Sequence, residues 1–126
     1  MRSKWRIVPV MMAGFMCTTA WAQDDLAAGR KLALNQCGVC HVFKAGEPNR
    51  QGPGLFGVVG RAAGSMAGFT YSEAFTKALG GKTWDAPALD RWLTDPQAVA
   101  PGTVMLYRQD DPDQRTALIH YLESLR

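Results

Sequence analysis

Cys37-Gly38-Val39-Cys40-His41, inside the run NQCGVCHVFKAG from Asn35 to Gly46, sets two cysteines three positions apart with a histidine directly after the second. Such a pair serves thiol–disulfide exchange, half of a zinc site, or covalent attachment of haem. A structural zinc site closes with four ligands. Beyond Cys37, Cys40 and His41, the chain after residue 22 offers only His120 as a further soft ligand of that kind. A thioredoxin-like pair belongs at a strand-to-helix turn within a βαβ pattern, whereas here a helical stretch precedes the motif. Haem attachment uses all three residues. Thioethers from Cys37 and Cys40 would hold the porphyrin edge-on to the chain, and His41 would face the iron.

The N-terminus bears on the same choice. Arg2, Lys4 and Arg6 precede Ile7–Thr19, which carries no charge, and Ala20-Trp21-Ala22 supplies a small-x-small pattern before Gln23. This is the layout of a secretory signal peptide. We expect residues 1–22 to be removed, residues 23–126 to form one monohaem domain, and the product to lie in the bacterial periplasm. Ile7–Ala22 is 16 residues long and contains Pro9, short of the roughly 20 that a spanning helix needs, so no stable membrane insertion is expected after cleavage. Cys17 lacks the small residues before it that lipidation would require, and it leaves with the signal.

Removal of residues 1–22 leaves eleven basic residues against eleven acidic ones, so the pI of about 8.9 belongs to the precursor. A nearly neutral domain loses the electrostatic footprint of a nucleic-acid binder. Both remaining cysteines sit in the motif, so no disulfide framework is available in an oxidising compartment.

The remaining 104 residues make a small core that benefits from a staple. Leu32, Leu55, Phe56, Leu89, Trp92, Leu93, Leu118 and Tyr121 are spread along the whole chain, as a shell around a central cofactor would be. The pattern predicts an all-α fold of about four helices. Asp24 or Asp25 caps the first, through about Gln36, with Leu26, Gly29, Leu32 and Ala33 on one face. Ser72 caps a short one that stops at Gly80-Gly81. Asp85 caps a third, ended by Asp95-Pro96. Asp111-Pro112-Asp113-Gln114 opens the last, whose Leu118, Tyr121, Leu122 and Leu125 form a buried stripe. Lys44–Phe69 is too rich in glycine for regular structure, and Ala98–Gln109 also reads as irregular.

An iron held by His41 on one face needs a second ligand for the other. Met105, Met66 and His120 are the candidates. Met105 is favoured because Pro101-Gly102-Thr103 forms a rigid turn before it, while Met66 lies among glycines and His120 lies beside the stripe of the last helix.

Read in order, AAGRK, CGVCH, GPGLFGVVGR, GFTYSEA, KTW, WLTDP, PGTVM and LIHYL resemble the class I c-type cytochromes, in the branch shared with mitochondrial cytochrome c. The likeness runs from about Ala27 to Leu125. It implies one haem c, attached through Cys37 and Cys40, with His41 and Met105 as axial ligands and with the first and last helices crossing. It further implies that the Pro53 carbonyl orients His41, that Arg61, Tyr71, Trp84 and Thr103 surround the propionates, and that Gly29 approaches the last helix near Tyr121.

Departures from the family pattern are specific. Ala33 replaces an aromatic in the helix crossing, and Phe75 replaces an Asn near the haem. Trp92 stands where a Tyr often bonds the methionine sulfur, and an indole donates but cannot accept. Gln36, Gln97, Ala98 and Val104 stand where lysines often ring the exposed haem edge.

The expected role is electron transfer between redox protein partners, without enzymatic activity and as a monomer. A cytochrome subunit permanently bound to a larger periplasmic oxidoreductase is the alternative, and a catalytic or gas-binding haem protein a more distant one.

Overall fold

A computed structural model describes residues 20–126 of the chain, with side chains from residue 23. The positive segment and most of the expected signal peptide lie outside the described residues. Helix α1 spans Ala20–Leu32 and passes into a π-helical turn at Ala33–Cys37. Helices α2 (Glu73–Leu79), α3 (Ala86–Thr94), α4 (Pro96–Val99) and α5 (Pro112–Ser124) follow. Among the described residues the sole β-type pairing is an isolated antiparallel bridge between Ala62 and Thr83. Among the described residues the fold is all-α, with five helices rather than about four.

The helix starts follow local chemistry. The Ser72 side chain accepts from the Phe75 N–H at 3.2 Å, and Asp85 accepts from Ala88 at 2.8 Å. Asp111 accepts from Asp113 and Gln114, with Pro112 at a position that needs no N–H. Helix α1 differs from expectation: it already runs through Asp24 and Asp25, because Ala20-Trp21-Ala22-Gln23 contains nothing that breaks a helix.

Helix α4 corrects the reading of Asp95-Pro96 as a stop alone. The Asp95 N–H closes α3 on the Arg91 carbonyl, while its carboxylate accepts from Gln97 and Ala98 at 3.0 and 3.2 Å. One residue therefore ends α3 and starts α4.

Helix α1 packs chiefly on α5. A Cβ built on Gly29 would lie 1.9 Å from the Ala117 carbonyl oxygen and 3.1 Å from the Tyr121 Cβ, so only glycine permits the two backbones to meet. Ala33 is fully buried at this crossing, and Phe43 packs on Tyr121 with ring centroids 5.8 Å apart. Leu26, expected on the same buried face, is exposed at the surface instead.

A second cluster joins Tyr71, Phe75, Trp84 and Trp92, with successive ring centroids 4.8–6.2 Å apart. Phe75, in the Asn position of the family pattern, is buried at its centre, touching the other three rings. Such contacts add to the burial energy of each ring.

Gly29→Ala should cost about 3 kcal/mol or more in guanidinium unfolding of the holoprotein, because the obstructing atom is backbone and cannot swing away. Gly46→Ala, at φ +76° but in open space, should cost only about 1 kcal/mol.

Candidate haem site

The π-helical turn delivers the attachment motif. The Gly38 N–H bonds the Ala33 carbonyl at 2.8 Å, and the Cys40 and His41 N–H groups both bond the Cys37 carbonyl, at 3.0 and 2.9 Å. This tight coil holds Cys37, Cys40 and His41 on one short stretch of backbone. Both thiols are free. Burial, followed by the neighbouring Cys40, pushes the Cys37 thiol up to about 11. A redox-active pair works through a thiol of lowered pKa, so the structure speaks against disulfide exchange. Among the described residues no group of three or more His, Cys, Asp or Glu side chains gathers as a metal site.

His41 is held from behind. Its Nδ1–H donates to the Pro53 carbonyl at 2.7 Å. Burial lowers the imidazole pKa, outweighing the Pro53 hydrogen bond, which raises it. The ring is therefore neutral at pH 7, with Nδ1 protonated and the Nε2 lone pair available to a metal.

Gly52 forms the wall behind this ring: a Cβ there would fall 2.3 Å from the His41 Cε1. Sequence reasoning assigned Gly52 no role. The signal lay in its place beside Pro53 in Gly52-Pro53-Gly54, where the chain passes directly over the imidazole.

The Trp92 Nε1–H donates to the Met105 Sδ at 3.2 Å. The indole thus takes up the donor half of the part that the family pattern gives to a tyrosine. Met66 is placed elsewhere, beside Gly54 in an open cleft of about 370 Å³ that Lys44, Glu47 and Asn49 also line. His120 is exposed on α5.

Arg61 and Trp84 are brought together by backbone pairing across the Ala62–Thr83 bridge, where the Trp84 N–H bonds the Arg61 carbonyl at 2.9 Å. Tyr71 reaches Trp84 through the intervening Phe75. Thr103 is buried in the Met105 loop, whose Gly102 lies against Ala74 of α2.

The Arg61 guanidinium donates to the Phe56 and Gly54 carbonyls at 3.1 and 2.9 Å. Among the described residues no carboxylate pairs with it, and burial lowers its pKa, against Tyr71, which raises it. A half-buried cation that lacks a counter-charge and keeps N–H groups in reserve suits the acidic side chains of a porphyrin. Together with the paired thiols and the oriented imidazole, these residues fit a covalently held haem.

The family model for cytochrome c matches residues 26–126. Cytochrome c2 iso-2 of Magnetospirillum fulvum is 44% identical over 94 residues, covering 74% of this chain and 95% of that protein. Cytochrome c-550 of Novispirillum itersonii is 37% identical over 111 residues, 81% of this chain and 99% of the relative. Cytochrome c2 of Rhodopila globiformis is 41% identical over 103 residues, 81% and 94% respectively. The thiol pair, the oriented imidazole and these likenesses lead to one conclusion: the chain belongs to the cytochrome c family, which implies one covalently attached haem c, and Cys37 and Cys40 stand in its attachment position.

Proposed function

We propose that this cytochrome is an exported, monomeric one-electron carrier whose haem iron is ligated by His41 and Met105, and that it passes electrons between redox protein partners. The haem supplies the Fe(II)/Fe(III) couple. The chain supplies the rest: Cys37 and Cys40 anchor the group, Pro53 holds the His41 tautomer and ring plane, and Trp92 orients the Met105 sulfur. Arg61, Tyr71, Trp84 and Thr103 are placed in this reading around the propionates. Two protein ligands leave no open coordination position, which favours a carrier over a catalytic or gas-binding protein. A permanently bound subunit would use the same chemistry and remains the second reading.

The observation that carries the assignment is the Trp92 Nε1–H···Sδ Met105 bond. It singles out one of two methionines and engages one face of its sulfur, leaving the other lone pair for a metal. A hydrogen bond to a ligating sulfur weakens its donation to Fe(III) and so favours the reduced state.

Residues 1–22 are read as a signal peptide, residues 23–126 as the haem domain, and the periplasm as the destination. Among the described residues no helix is long and apolar enough to cross a membrane. Cleavage after Ala22 would place Asp24 and Asp25 near the new start of α1, where carboxylates complement the helix dipole.

The docking surface is read from the residues around the site. Val104 and Leu106, on either side of Met105, are 73% and 79% exposed, and Val39, inside the attachment motif, is 64% exposed. Pro96–Tyr107 contains no charged residue. Arg50, whose guanidinium donates to the Gly38 carbonyl at 2.7 Å, adds one positive charge beside the attachment turn. Such a face suits a redox partner that meets it through a small, largely apolar contact.

Optical spectra of the purified protein in both redox states test the ligand assignment. Met105→Ala should abolish the thioether-to-iron band of the oxidised protein and admit carbon monoxide to the reduced iron. Met66→Ala should leave both unchanged, and the reverse pattern would reassign the ligand.

Gly52→Ala should push the His41 ring off the Pro53 carbonyl and reduce the yield of holoprotein, whereas Gly57→Ala, with open space around it, should preserve the haem spectrum. Normal yield and spectrum for Gly52→Ala would discount the wall behind the imidazole.

Stopped-flow oxidation by the native acceptor should change little between low salt and about 0.2 M, where screening lengths fall to roughly 7 Å, and Val104→Asp should slow it without altering the spectrum. A steep fall in rate with salt would instead indicate charge steering.

A further inference from the structure

The loop bearing Met105 is tied to one side chain. Gln97, the second residue of α4, donates through Nε2 to the Thr103 carbonyl at 2.7 Å and to the Met105 carbonyl at 3.4 Å. Its Oε1 accepts from the Gly102 N–H at 3.1 Å. Both amide N–H groups and one oxygen lone pair are thereby directed into residues 102–105. Gln97 is itself held in place. Its own N–H is bound by the Asp95 carboxylate at 3.0 Å, and the adjacent Pro96 is fully buried.

The family pattern often has lysine at this position. A lysine carries donors but no acceptor, so it cannot receive the Gly102 N–H. The far side of the loop repeats the substitution. Tyr107 Oη donates at 2.6 Å to Oε1 of Gln36, another glutamine in a lysine position, immediately before Cys37.

Backbone contacts alone leave the middle of the loop weakly fastened. The Thr103 N–H bonds the Ala100 carbonyl, and the Gln109 N–H bonds the Leu93 carbonyl. Between those two points, Gln97 reaches the Met105 carbonyl, Trp92 the Met105 sulfur and Gln36 the Tyr107 hydroxyl, and just before them Gln97 receives the Gly102 N–H.

We propose that Gln97 is a positioning residue for the axial ligand: its side-chain amide braces residues 102–105, so that Met105 leaves the iron only when the brace opens. The proposal rests on the reading of Met105 as the iron ligand. The neutral glutamine removes a charge from the docking face and stiffens the ligand loop at the same time. A hydrogen bond of ordinary net strength changes an opening equilibrium roughly fivefold, so loss of this brace should change it on the order of tenfold or more.

The test is imidazole binding to the ferric holoprotein, with amide hydrogen exchange at Gly102 and Thr103. Gln97→Met keeps the length of the side chain and removes all three hydrogen bonds. Gln97→Glu keeps the acceptor but sets a second oxygen against two carbonyls. Both variants should bind imidazole about tenfold more tightly than the parent, and Gln97→Met, which alone loses the acceptor, should exchange the Gly102 amide about tenfold faster. Placed in a Met105→Ala background, Gln97→Met should produce no further gain in imidazole affinity, because the ligand being displaced is already gone. Unchanged imidazole affinity and exchange in both variants would overturn the brace. An equal gain in the Met105→Ala background would overturn it too, since Gln97 would then be acting on something other than the ligand. Failure of the underlying reading has a separate signature: Met105→Ala alone would leave the ferric spectrum and the imidazole affinity as in the parent.

Discussion

The contact on which the rest of this molecule depends is the meeting of two backbones, Gly29 of α1 and Ala117 of α5, with no side chain between them. There the first and last helices meet most closely, and the attachment motif is built directly onto the end of the first. Four residues beyond Gly29, fully buried Ala33 receives the Gly38 N–H that closes the π-helical turn. The position of Cys37, Cys40 and His41 is thus inherited from the crossing. A small domain gains from this economy, because one close packing event orients both the scaffold and the site.

From that anchor the chain continues in two irregular segments, each held by scattered backbone bonds and by side chains rather than by continuous ladders. The first passes Gly52 behind the His41 ring and offers the Pro53 carbonyl to Nδ1. Asn49 staples it, its Oδ1 accepting from the Gly54 N–H and its Nδ2 donating to the Ala67 carbonyl. The second segment runs from α4 to α5 and carries Met105, with Gln97 beneath it and Trp92 at its sulfur. Long loops of this kind inside a compact domain are usually functional. In the proposed reading they place an imidazole and a thioether.

The electrostatic character of this cytochrome follows from substitutions at a few surface positions. Where lysines often stand, Gln36 and Gln97 use their amides within the fold, and Val104 presents an apolar surface instead. The remaining charges near the loop engage one another: Arg108 pairs with Asp95 and Asp110, and Arg115 with Asp90. The face around the ligand loop is left with apolar side chains and few free charges, which is a different recognition chemistry carried on the same scaffold.

Much of this was legible from the residues themselves. The caps at Ser72, Asp85 and Asp111, the buried stripe of α5 and the attachment motif are local signals, read over four to eight residues, and the structure contains them, with Leu125 of the stripe half-buried just past the helix end. Three kinds of feature were not legible. Helix α4 was hidden because Asp95-Pro96 both ends one helix and begins another. The exposure of Leu26 depends on which neighbours folding brings against that turn of α1. The parts played by Gly52 and Gln97 depend on what passes within a few ångströms of them, and glycine and glutamine alone advertise nothing. The sequence by itself determined the covalent chemistry and the helical framework, because thiol spacing and capping act between near neighbours. Tertiary structure decided which charges pair with one another and which methionine meets an indole, because those contacts join residues that only folding brings together.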